Sequence, residues 1–174
     1  MTEYQPELRI RFSRRTDGSV VLHCSRRDGT STWQRQDARR SAFFVGHDLR
    51  HFAVETTLGI RHGFFGLIAD GWSIADTEGK GPRGSLPADA LLTEQLVGLL
   101  DRERLGGAAP LAASEVKTQL ARLPAAIGGE ILDALTDDQL DRIRALAAEL
   151  HARWAATESD MELEFDRAPL HHNA

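Results

Sequence analysis

Two Asp-Gly pairs, Asp17-Gly18 and Asp28-Gly29, stand near the start of the chain, each flanked by segments in which apolar and polar residues alternate. Glycine takes the positive φ that a tight turn between twisted strands demands, so this pattern reads as two successive hairpins. Residues 8 to 36 are therefore expected to form a three-stranded antiparallel meander. Leu8, Ile10 and Phe12 share one face of the first strand, and Val20, Leu22 and Cys24 share one face of the second. The third carries Trp33 among Thr and Gln. Near the other end of the chain Met161, Leu163 and Phe165 alternate with Glu162, Glu164 and Asp166. Those acids match Arg9 and Arg11, and opposite charges across a strand pair add a few tenths of a kcal/mol each. Residues 160 to 166 are thus expected to close the sheet as the partner of the first strand.

Between these strands the sequence is helical in character. A first helix begins near Ser41 and ends at Gly59, where a left-handed cap costs nothing without a Cβ. A short second helix spans about Gly63 to Ile74, and the Gly- and Pro-rich DTEGKGPRGSLPAD follows as a surface loop. Pro87 can open a helix through about Leu105, with Leu92, Leu96 and Leu99 as its apolar stripe. Ser114 opens a shorter helix that LPAAIGGE either breaks or ends. Thr136 and Gln139 form a capping box for the last, in which Leu140, Ile143, Ala147, Leu150 and Trp154 recur at helical spacing. The expected architecture is α+β: a small antiparallel sheet, built from the N-terminal meander and the C-terminal strand, packed against a bundle of four to five helices. One domain over 1–174 is expected, with the meander in 1–36, the helical region in 41–157 and the closing strand in 160–166.

Composition limits the partners. No apolar run approaches the roughly 18 residues of a membrane span. The N-terminus lacks the apolar stretch of a secretory signal, and the single cysteine, Cys24, excludes an internal disulfide, so a cytoplasmic setting is expected. Residues 1–40 hold nine arginines against five acids. The pairs Arg14-Arg15 and Arg26-Arg27 nevertheless precede successive turns, which places them at opposite ends of the sheet, and nucleic-acid binding is not expected. Cys24, on the inward face of its strand beside Val20 and Leu22, reads as a core residue.

Chemistry concentrates in GHDLRHFAVETTLG. At about 100° per residue, His47, Asp48, His51 and Glu55 project within a roughly 100° arc that they share with Phe44, Val54 and Leu58. Ionisable groups on an apolar face imply mutual hydrogen bonding, a metal ion or a catalytic cleft. His47 and His51, one turn apart, are spaced to hold one divalent ion through their imidazoles. Locally this is similar to the HExxH helix of zinc enzymes, with Asp48 in the place of the glutamate. The same five-residue HDxxH string occurs in a coenzyme Q biosynthesis family with a proposed metal site, where an acid follows at a longer interval. Here that interval falls at Gly63, and no function is carried over. Glu55 lies about 12 Å along the axis from His47, too far for both to grip one ion, and is expected to pair with His51 or to orient a ligand. His62 is the expected third ligand, with Asp70 and His151 behind it. Asp48 and Glu55 are the candidate catalytic acids, and zinc is the expected ion.

Other chemistries lack their parts. A di-iron carboxylate site needs a second acid three residues before a histidine, and none exists. No GxSxG elbow occurs, and GKGPRGS lacks the order of a phosphate loop. Two classes of function remain. One is a small metal-dependent enzyme, hydrolytic, acting on a small-molecule substrate. The other is a non-enzymatic interaction or assembly module, including a homo-oligomer, in which the His/Asp/Glu cluster is a structural hydrogen-bond network. An exposed apolar patch around Phe64, Phe65 and Trp72 would favour the second.

Overall fold

Both Asp-Gly pairs build the same hairpin. Gly18 N–H donates to Arg15 O (3.0 Å) and Arg15 N–H to Ser19 O (2.9 Å), and Gly29 and Arg26 repeat the pattern at 3.0 and 2.8 Å. Only the glycines take positive φ, +83° and +85°. Each loop is therefore a type I turn closed by one left-handed glycine, the bulged alternative to the two-residue turn. Asp17 accepts hydrogen bonds from the N–H and hydroxyl of Ser19, and Asp28 does the same with Thr30.

The computed structural model describes residues 4–79, 81–107, 109–122 and 129–167. Strands β1 (Leu8–Arg14), β2 (Val20–Arg26), β3 (Ser31–Gln36) and β4 (Asp160–Phe165) form one antiparallel sheet in the order β3-β2-β1-β4. As the charge pattern requires, Arg9 stands opposite Glu164 and Arg11 opposite Glu162. The Arg9–Glu164 pair is exposed at 3.9 Å and adds little. The same register sets Leu8, Ile10 and Phe12 beside Phe165, Leu163 and Met161, all buried, and this apolar seam holds β4 in place.

The described residues hold six α-helices: α1 (Ser41–Leu58), α2 (Phe64–Ala69), α3 (Ala88–Gly106), α4 (Ala113–Leu120), α5 (Gly129–Ala134) and α6 (Asp137–Ala156). The inner sheet face packs on Val45, Leu49 and Phe52 of α1, Phe65 and Ile68 of α2, and Leu150 and Trp154 of α6. A second core joins Ala53 and Val54 of α1 to Leu92, Leu96 and Leu100 of α3, Val116 of α4 and Leu140 and Ile143 of α6. Helix α1 thus runs between two cores, and 11 of its 18 residues are buried. Among the described residues, none of the helices is long and apolar enough to cross a membrane.

Three local expectations are corrected. Helix α2 stops at Ala69 instead of continuing to Ile74, because Gly71 (φ +93°) turns the chain. The Arg26 guanidinium holds that turn through Ile68 O and Trp72 O, both at 2.5 Å. Helix α4 opens at Ala112, not Ser114: Glu115 accepts from Ala112 N–H and Asp137 from Ala113 N–H, so acids from two elements replace the serine cap. Helix α5 emerges from the end of LPAAIGGE, of which residues 123–128 lie outside the described residues. It supplies the sixth helix where four to five were expected. The capping box of α6 forms as the sequence requires, with Gln139 N–H on Thr136 Oγ1 at 3.2 Å and Thr136 N–H on Gln139 Oε1 at 3.0 Å.

Phe64, Phe65 and Trp72 do not form an exposed apolar patch. Phe65 is fully buried, Phe64 packs against the first core, and Arg83 lies over the Trp72 ring. Cys24 is also fully buried, and desolvation pushes its thiol far above the usual range, which removes its thiolate.

Deleting residues 160–174 is expected to destabilise the fold by several kcal/mol, because it removes three core side chains and bares one edge of β1. Urea unfolding measures this; an unchanged midpoint would show that β4 adds nothing.

Candidate metal centre

Helix α1 is positioned before any chemistry is considered. Asp37 Oδ1 accepts from the N–H groups of Arg39 and Arg40 at its start, and Gly59 closes it with a left-handed cap (φ 65°) donating to Glu55 O. Helix α3 lies antiparallel beside it, so His47 meets Asp101 near the end of α3 and His51 meets Glu94 nearer its start. Glu94 and Asp101 are seven residues apart and share a face of α3.

Each histidine has an acid on its far nitrogen. His47 Nδ1 is 2.7 Å from Asp101 Oδ2, and His51 Nδ1 is 3.3 Å from Glu55 Oε1. These contacts turn both Nε2 atoms toward one point, 3.2 Å apart. The acids are themselves held. Asp101 is ion-paired to the buried Arg50. Glu55 accepts from Phe65 N–H (3.2 Å) and Gly66 N–H (3.0 Å), so it also caps α2. A Cβ at Gly63 would fall 2.3 Å from Glu55 Cδ, and only glycine lets the carboxylate reach those amides.

Glu94 supplies the third donor. One ligand atom from each of His47, His51 and Glu94 lies within 4.8 Å of the others. His51 Nε2 is 3.1 Å from Glu94 Oε1, and His47 Nε2 is 3.8 Å from Glu94 Oε2. A tetrahedral ion with bonds of about 2.0–2.1 Å needs donor separations of about 3.4 Å, so the spacing suits one ion. His62, the expected third ligand, is not part of this group: its Nδ1 faces Asp89 at 3.4 Å and its Nε2 faces Asp70 at 3.9 Å. It follows the Gly59 turn, which carries it off the end of α1. Asp70 pairs with Arg167, and His151 contacts Arg50, so neither replaces it. Asp48 and Glu55 stand beside the group without joining it. The sequence reading missed Glu94 and Asp101. Their signal was two acids at a two-turn interval on the helix that carries the Leu92, Leu96 and Leu99 stripe.

Burial sets the electrostatics. Desolvation works against charge on His51, but Glu55 and Glu94 on its two nitrogens overcome it and raise the imidazolium to about 10. Burial likewise opposes ionisation of Glu94 and Asp101, yet both carboxyls are held below the usual range, Glu94 by His51 and His47 and Asp101 by His47 and Arg50. Asp48 goes the other way. It is buried, its one hydrogen bond among the described residues comes from Gln36 Nε2 at 3.4 Å, and desolvation lifts it to about 7 against the pull of His51 and His47.

The group opens onto a cleft of about 550 Å3 whose wall includes Gln34, Gln36, Phe44, Asp48, Phe64 and Leu86. Compared with protein-family models, curated proteins and solved structures, the chain shows no significant match.

Asp48 gives a signed expectation for pH. Its folded value of about 7 exceeds the ordinary 3.8, so its contribution to stability is complete below about pH 4 and is lost as pH rises through 7. In metal-free protein, Asp48→Asn is expected to flatten the stability curve between pH 4 and 7, a difference of about 3 kcal/mol. Urea midpoints at pH 4 to 8 read it; parallel curves for the two proteins would contradict the assignment.

Proposed function

We propose that the protein is a small metal-dependent enzyme, hydrolytic in its chemistry, with a divalent ion held by His47, His51 and Glu94. The observation that carries this reading is the convergence of two Nε2 atoms and a carboxylate at a cleft, each imidazole backed by its own acid. Three protein ligands leave a tetrahedral ion one open position, as in hydrolytic zinc sites and unlike closed structural ones. Zinc is the ion proposed. It would lower the pKa of a water in that position to about 7, and a nucleophile would then exist at neutral pH.

Asp48 is the general base of this reading: it is a carboxyl that lines the same cleft as His47, His51 and Glu94. Glu55 is assigned a positioning role, since its oxygens are committed to His51, Phe65 and Gly66. A cleft of about 550 Å3 suits a small-molecule substrate.

Protein purified without a metal-chelating tag is expected to contain about one equivalent of ion by elemental analysis. His47→Ala, His51→Ala and Glu94→Ala should each remove it. Glu55→Gln should weaken binding about 10- to 100-fold through the His51 ring. Because His51 stays protonated to about 10 in the metal-free protein, the ion must displace that proton. Affinity should then rise about tenfold per pH unit between pH 6 and 8. Asp48→Asn should keep the ion and lose turnover on chromogenic ester, amide and phosphoester panels. A wild-type protein that takes up no Zn, Mn, Fe or Ni at micromolar concentration and gains no thermal stability from them would refute the reading.

A further inference from the structure

A second cavity, of about 250 Å3, lies between α1, α3 and α6 and shares no lining residue with the metal-site cleft. Small residues open it. A Cβ at Gly46 would fall 2.8 Å from His151 Cε1, so the bare backbone lets the His151 ring lie against α1; Ala147 and Ala148 leave space on the facing helix. Leu100, Pro110 and Ile143 add an apolar wall.

The other end is cationic. Arg50, Arg104 and Arg144 all line the cavity, against one acid, Glu103. That acid is already used: Arg144 grips it through two nitrogens at 3.1 and 2.9 Å and reaches Asp141 as well. Arg50 is spent on Asp101. Arg104 makes no ion pair among the described residues, and a Cβ at Gly46 would fall 3.8 Å from its Nη2, so the guanidinium lies beside the His151 ring. His151 does not add to the positive charge. Its Nε2 is 3.3 Å from Arg50 Nη2, and a guanidinium can only donate, so Nε2 accepts and the ring proton sits on Nδ1. Burial and the charges of Arg50 and Arg104 hold the ring below its usual value, in keeping with that neutral form.

The geometry points to a binding site for a small organic anion, a carboxylate on a ring or short aliphatic chain, with the carboxylate at Arg104 and the apolar body against Leu100 and Ile143. An unpaired guanidinium at the mouth of an apolar cavity supplies the charge-assisted hydrogen bonds that a carboxylate needs, and the wall rewards what the carboxylate is attached to. An inorganic anion would leave that wall empty, and a neutral ligand would leave Arg104 unused. At about 250 Å3 the space is smaller than the usual drug-sized site and sets a limit near a single ring or a short chain.

Calorimetric titration with sodium benzoate and sodium octanoate tests this, with 1-octanol and inorganic phosphate as controls and with metal-free and zinc-treated protein in parallel. At least one carboxylate is expected to bind at one site, at least tenfold more tightly than either control and equally with or without zinc. Arg104→Ala should weaken that binding at least tenfold, and Ala148→Leu should block it. Both positions are exposed, so the melting temperature should hold. The inference is overturned if neither carboxylate binds, if octanol binds as well as octanoate, or if both variants bind like the parent. Because the readout does not depend on a bound ion, failure of the metal centre would leave the result interpretable.

Discussion

The placement of α1 between two cores is the constraint on which the rest of the structure depends. A surface helix turns its polar residues to water, but α1 has the sheet on one side and α3 and α6 on the other, and Asp48, Arg50, His51 and Glu55 are buried with its apolar residues. An ionisable group out of water costs several kcal/mol unless it is paired. Each of these four has a partner within reach: Gln36 for Asp48, Asp101 for Arg50, Glu94 and Glu55 for His51, and the α2 amides for Glu55.

Those pairings tie the site to the fold. Glu55 links the His51 ring to the start of α2, whose Phe65 and Ile68 sit in the sheet-side core. Asp101 links the His47 ring to Arg50, and Arg50 in turn to His151 on α6. The imidazoles are therefore oriented by elements that packing already fixes, which is the preorganisation a metal site requires. The same arrangement also accommodates a proton: in metal-free protein His51 is an imidazolium between two carboxylates. A proton and a divalent ion compete for one position, and that competition is what distinguishes a metal centre from a buried salt-bridge network here.

What the sequence revealed followed from how local each determinant is. The hairpins could be read because a single glycine sets each turn, and the β4 register because alternating charges and apolar residues match strand to strand. The HxxxH pair and the limited reach of Glu55 followed from the helical rise alone. Glu94 could not be read in the same way. It depends on which helix lies antiparallel beside α1 and at what offset, and only the packing of the Leu92–Leu100 stripe on Ala53 and Val54 decides that. His62 looked nearer in sequence, yet the chain reverses at Gly59 and carries it toward Asp89 and Asp70. The short α2 was overextended because its five apolar residues hide the break that Gly71 and Arg26 impose.

Anomalous diffraction from a crystal grown with zinc, recorded on both sides of the zinc edge, tests the central claim most directly. The account predicts one strong peak about 2.0–2.2 Å from His47 Nε2, His51 Nε2 and a Glu94 oxygen, with a fourth ligand on the cleft side. A map without a peak there, with His51 instead hydrogen-bonded to Glu55 and Glu94 as an imidazolium, would contradict it.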